Sequence, residues 1–91
     1  MNNKLKTTIS KNFKNTELGF LRIKRNLQIN HYSDLEIEKH QKKIILSTPL
    51  ESIETIGKNH YFKNTKFNAV LTVNSHSLTI ITAKMVNNKQ C

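Results

Sequence analysis

The chain has 91 residues, with 15 Lys and Arg against 6 Asp and Glu, and a net charge of +9 at neutral pH. That length supports one domain with one modest core and marginal stability. A single cysteine, Cys91, excludes an internal disulfide, and four-ligand zinc motifs are absent. No apolar run reaches the ~20 residues of a membrane span, and no apolar segment of signal-peptide type follows the basic residues of 1–16. The expectation is a cytoplasmic single domain, residues 1–91, with 1–15 and 87–91 partly flexible.

The first half reads helical. Leu5, Ile9 and Phe13 recur at four-residue spacing and predict a first helix that frays at its start. Asn15-Thr16 offers a cap for a second helix, with Glu17 in its favoured first turn. Its predicted apolar stripe is Leu18, Leu21 and Leu27, widened by Phe20 and Ile23. Arg22, Lys24 and Arg25 fall on the other side, and Gly19 weakens the helix by about 1 kcal/mol relative to Ala. Asn30-His31-Tyr32 reads as a loop. Ser33-Asp34-Leu35-Glu36 is a capping-box pattern opening a third helix. Ile37, His40, Ile44 and Ile45 form its predicted buried stripe, and Pro49 stops continuation.

After Pro49 the periodicity changes to two. The predicted strands are Ser52–Ile56, ended by Gly57, then His60–Lys63, Phe67–Asn74 and Ser77–Val86. Asn64-Thr65-Lys66 supplies one turn. If Ser75-His76 is a two-residue loop, Val73 pairs with Leu78, Thr72 with Thr79 and Leu71 with Ile80. Ala69, Leu71, Val73, Leu78 and Ile80 then share an apolar face, opposite Thr72, Asn74, Ser77 and Thr79. That register leaves Thr82 on the apolar side unless a bulge near Ile80-Ile81 turns it outward. Ser77–Val86 is also long and apolar enough to serve as a pairing edge. Helices first and an antiparallel sheet second give an α+β domain: two or three N-terminal helices packed on three to four strands.

The charge is segregated. All six acids (Glu17, Asp34, Glu36, Glu38, Glu51 and Glu54) lie in the middle of the chain, and residues 55–91 carry none. A basic, hydroxyl-rich segment suits a polyanion, RNA or DNA. The competing reading is compositional, since Lys, Asn and Ile are all abundant.

The segments Glu17-Leu18-Gly19 with Arg22-Ile23 and Asn26-Leu27, then Gly57-Lys58-Asn59 with Tyr61, Thr72-Val73-Asn74-Ser75 and Thr79 to Lys84 resemble a family of short bacterial proteins. It is a domain of unknown function, number 3781, mostly from Firmicutes. The likeness spans residues 17–86 and brings no established activity. More coarsely, the element order resembles the barnase–EndoU–colicin–RelE group of small ribonucleases and toxins. That likeness implies metal-free chemistry on a concave sheet and assigns no residue.

Metal-independent RNA cleavage needs a base, an acid and cations for the charged phosphorane. His60 is the candidate base or acid, because imidazole titrates near neutrality. Lys58 shares its face if both lie in the strand, where it would hold phosphate and depress the His60 pKa. Thr79 and Thr82 complete the candidate catalytic set. Arg22, Lys24, Arg25, Tyr61, Lys63, Thr72, Asn74, His76 and Lys84 are the candidate nucleic-acid contacts, with Tyr61 or Tyr32 able to stack on a base. No metal set is predicted, because no carboxylate or Cys completes the pair His31 and His40, and no cofactor is expected.

The expected function is a metal-independent endoribonuclease of toxin type. The alternative is a non-catalytic nucleic-acid-binding module, or an inhibitor of a nucleic-acid-processing machine such as a phage anti-defence protein. A protein partner, such as an antitoxin or target nuclease, fits either.

Overall fold

The computed structural model describes residues 4–86; the predicted tail 87–91, with Lys89 and Cys91, lies outside them. Three helices precede a four-stranded antiparallel meander: α1 Lys4–Asn12, α2 Glu17–Asn26, α3 Asp34–Ser47, then β1 Ile53–Ile56, β2 Asn59–Asn64, β3 Ala69–Asn74 and β4 Ile80–Met85, in spatial order β1-β2-β3-β4. The α+β expectation holds.

Local chemistry accounts for the helix ends. Thr16 caps α2 by accepting the Gly19 N–H at 3.0 Å. Beyond its last turn, Gln28 takes a left-handed φ of 59°. The Gln28 N–H then reaches the Arg25 carbonyl and the Ile29 N–H the Lys24 carbonyl, at 3.2 and 2.8 Å; these two bonds make a Schellman closure. The capping box of α3 is complete: Ser33 N–H donates to Glu36 at 2.8 Å and Glu36 N–H to Ser33 Oγ at 3.1 Å. At the other end Lys6 Nζ donates to the carbonyls of Leu46 and Thr48, at 3.1 and 3.0 Å. A cation there suits the negative end of the helix dipole. The segment expected to be partly flexible therefore contains a helix tied to α3, with Ile9 fully buried.

α2 is rotated from its predicted setting. Ile23 and Gly19 are buried and Phe20 and Leu27 partly so, while Leu18 and Leu21 are 56% and 62% exposed. The cause is Gly19, where a Cβ would stand only 3.3 Å from the Ile80 carbonyl oxygen. Its missing side chain lets α2 close on β4, and that approach turns Leu18 and Leu21 outward. α3 also departs from its predicted stripe. Gln41 is buried beside Ile37, Ile44 and Ile45, in a reciprocal amide pair with Asn15 at 2.9 and 3.0 Å. His40 is half-buried at the core's rim, edge-on to Tyr32 and Phe67.

Every strand is corrected at one end or both: β2 runs Asn59–Asn64 rather than His60–Lys63, taking Asn64 from the predicted turn, and β4 ends at Met85. β1 starts at Ile53, after a short 3-10 turn over Leu50–Ser52. Phe67 lies in the β2–β3 turn, which Asn68 closes at φ 53°. β4 starts at Ile80, because Asn74 builds a longer loop than the predicted two residues. Asn74 Oδ1 accepts the N–H groups of His76 and Ser77, at 2.8 and 2.9 Å, and Leu78 N–H returns to the Asn74 carbonyl at 2.9 Å. The pairs are Val73 with Ile80, Thr72 with Thr82 and Leu71 with Ala83, with a register shift between Thr72 and Val73. Ile81 is the extra residue, and the bulge sets Thr82 across from Thr72 rather than on the apolar side.

Nor is β4 a free edge along its length. Lys14 N–H donates to the Leu78 carbonyl and Ile80 N–H to the Lys14 carbonyl, at 3.0 and 2.8 Å, a short parallel bridge between Lys14 and Thr79. Asn26 Nδ2 takes the Ala83 carbonyl at 3.0 Å. The uncovered edge is β1.

The core lies between the helices and one sheet face: Ile9, Ile23, Ile37, Ile44 and Ile45 against Phe62, Ala69, Leu71, Val73, Ile80 and Ala83. Asn64 is its polar anchor. Its Nδ2 contacts the Ile44 carbonyl, Ser47 Oγ and Thr48 Oγ1 at 2.9–3.1 Å, and its Oδ1 accepts the Phe67 N–H at 2.9 Å. Asn64→Leu strands these buried groups, and urea unfolding is expected to show a loss of about 2–4 kcal/mol at an unchanged m-value.

Acid is also expected to destabilise the fold. Burial, then the charge of Lys43, holds the His40 imidazole below its ordinary range, and burial does the same for His60. The unfolded chain therefore takes up protons first. The stabilisation is fully present above about pH 6.5 and is lost as pH falls through that value toward the folded-state pKa. Thermal melts at about pH 7.5 and about pH 5.5 should show a lower midpoint in acid, and a smaller drop in a His40→Gln, His60→Gln variant. Equal drops in the two proteins would contradict this.

Candidate nucleic-acid interface

Helices cover one face of the sheet and leave the other bare. Strand alternation decides which side chains stand on the bare face. Phe62 is fully buried in the core, so its neighbours Tyr61 and Lys63 point the opposite way. The register then aligns two rows across the strands. One runs Glu54, Tyr61, Thr72 and Thr82; the other runs Lys63, Val70 and Lys84.

Two shallow grooves flank Tyr61, Lys63 and Val70. One, of about 460 Å³, extends over β1 to Glu51, Ser52, Glu54 and Ile56. The other, of about 410 Å³, extends over β4 to Thr72, Lys84, Met85 and Val86. Tyr61 is partly exposed, and Asn59 Nδ2 approaches its hydroxyl at 3.4 Å. Thr72 is 8% exposed at the floor. Lys24 pairs with Asp34 at 3.1 Å. Among the described residues Lys63 and Lys84 form no such contact, although Glu51 and Glu54 line the same groove as Lys63.

The candidate catalytic residues do not converge. His60 stands on the helix side of the sheet, in register with Val73 and Thr55, its Nδ1 2.7 Å from Thr55 Oγ1. Lys58 lies in the Gly57-Lys58 loop rather than in β2. The condition for a shared face with His60 thus fails, and the depressed His60 pKa comes from burial. The Lys58 carbonyl accepts the Ser75 N–H at 2.7 Å, tying the two hairpin loops together. Thr79 lies beyond the Asn74 loop, its hydroxyl accepting from Ser77 Oγ at 2.9 Å. Only Thr82 reaches the bare face, at its α2 border, where Asn26 Nδ2 lies 3.3 Å from its Oγ1.

Of the candidate contacts, the bare face brings together Tyr61, Lys63, Thr72 and Lys84. Asn74 is occupied in capping its loop, and His76 is exposed at the loop's tip. Lys24 is drawn toward α3 by Asp34. Arg22 and Arg25 fall on the opposite flank of α2, at about 100° per residue. Tyr32 stacks edge-on with His31 and His40 in the helix layer.

Sequence reasoning missed Glu54, Val70 and Met85 on this surface. Glu54 lies in the first predicted strand, but only the pairing of β1 with β2 brings it beside Tyr61. Among the described residues, no three His, Cys, Asp or Glu side chains converge as a metal set, and no helix is long and apolar enough to cross a membrane.

No curated protein and no solved structure matches the chain, so the likeness to small ribonucleases rests on element order alone. The profile of one family, described as "Protein of unknown function (DUF3781)", matches residues 7–84. That span takes in most of α1, the whole of α2 and α3 and all but the last residue of the sheet, and the chain belongs to this family.

Proposed function

We propose that the bare sheet face binds single-stranded nucleic acid without cleaving it. The observation that carries this reading is the position of Tyr61, in the middle of an uncovered four-stranded sheet, with Lys63 and Lys84 in the adjacent row. An aromatic ring on an open sheet offers a stacking platform for an unpaired base, and nearby ammonium groups track the phosphates. Thr72 and Thr82 add hydroxyls to the same row. The net charge of +9 favours encounter with a polyanion.

The dispersal of Lys58, His60, Thr79 and Thr82 favours holding over cutting. General acid–base work needs both groups within hydrogen-bond reach of one substrate, and His60 and Thr82 stand on opposite faces of the sheet.

Fluorescence anisotropy in EDTA, with a labelled RNA of about 12 nucleotides, tests the reading. Affinity should fall with salt between about 50 and 200 mM, and Lys63→Ala and Lys84→Ala should each flatten the log–log slope by about 0.7. Tyr61→Ala should cost about 1–3 kcal/mol, and the RNA should stay intact. Affinity indifferent to both salt and Tyr61→Ala would refute the assignment. Cleavage abolished by His60→Ala would restore the nuclease reading.

A further inference from the structure

The groove over β1 holds a group that a plain phosphate-binding surface would not. Glu54 is the direct register partner of Tyr61, so their Cβ atoms stand about 4.5–5.5 Å apart on one face. Both line the groove of about 460 Å³, together with Lys63 and Val70. Glu54 is exposed and makes no ion pair with Lys63, although both border the same space. Its carboxylate is therefore free to meet a ligand.

We infer that Glu54 selects the base seated on Tyr61, favouring bases whose Watson–Crick edge presents N–H donors: guanine first, then cytosine and adenine, over uracil. The inference rests on the reading of the bare face as a single-strand site. A carboxylate repels phosphate, so the backbone keeps to the Lys63 and Lys84 row and the base edge takes the β1 side. An ionised carboxylate only accepts hydrogen bonds. Guanine offers N1–H and N2–H side by side, matching two carboxylate oxygens. Cytosine and adenine each offer one exocyclic amine. Uracil flanks a single N–H with two carbonyl oxygens and sets at least one of them against the carboxylate. Thr72, on the other side of Tyr61, both donates and accepts, so it discriminates little.

The test compares labelled oligouridine, oligocytidine and an alternating uridine–guanosine strand, each about 12 nucleotides, on wild type and Glu54→Gln. The readout is the ratio of affinities, because removing a negative charge tightens every strand alike. Wild type should bind the guanosine-containing and cytidine strands about five- to tenfold more tightly than oligouridine. Glu54→Gln, whose amide both donates and accepts, should bring the ratio close to one with the same melting midpoint. Equal binding of all three strands by wild type, or a ratio unchanged in Glu54→Gln, would overturn the inference and leave the site standing. Failure of wild type to bind any strand would overturn both.

Discussion

The pinning of the α1–α2 connection to β4 sets the rest of the architecture. Lys14 exchanges two backbone hydrogen bonds with Leu78 and Ile80, and Gly19 lets α2 settle against the Ile80 carbonyl. Together they fix α2 beside the last strand rather than across the sheet. α1 and α3 fill the space over Phe62, Leu71 and Val73. No helix remains for the other face. The bare surface is thus a consequence of where one short connection attaches, and its chemistry follows from strand alternation once Phe62 is committed to the core.

A two-layer domain of this size stands near the limit of what a single core can support. Its polar groups are accordingly well used. Among the described residues, no buried side-chain nitrogen or oxygen lacks a hydrogen-bond partner. Asn64 and the Asn15–Gln41 pair place buried amides where they join α3 to the sheet turn and to the α1–α2 connection. Such groups favour one arrangement over near alternatives, because any slip leaves them unsatisfied. The open edge is short: β1 has four residues, with Glu54 at its centre, and a charged, short edge resists uncontrolled strand pairing.

Much of this was legible in the residues. The caps at Thr16 and Ser33 follow from one-step hydrogen-bonding rules, and so does the helix stop at Pro49. The change of period after Pro49 marks the sheet. What escaped was tertiary. The setting of α2 depends on a close approach at Gly19, a position that helix propensity alone scores as a weakness. The start of β4 depends on Asn74 using its side chain as a loop cap, which moves the pairing of every residue after it. The face of His60 was within reach, since residues 60 and 62 must share a side and Phe62 belongs to the core. Lys58 and His60 would share a face only with both in the strand, and spacing alone does not show that Lys58 falls in the preceding turn. The grouping of Tyr61, Lys63, Thr72 and Lys84 was implicit in alternation, whereas Glu54 needed the β1–β2 register.

The most direct measurement is a residue-resolved NMR titration of the isotopically labelled protein with short single-stranded RNA, following backbone amide shifts. The account predicts saturable changes centred on Tyr61, Lys63, Val70, Thr72 and Lys84, with little change at Lys58, Thr55 and the outer faces of α1 and α3. Changes centred instead on the helix layer or on the Lys58–His76 loop end, or no saturable change at all, would contradict it.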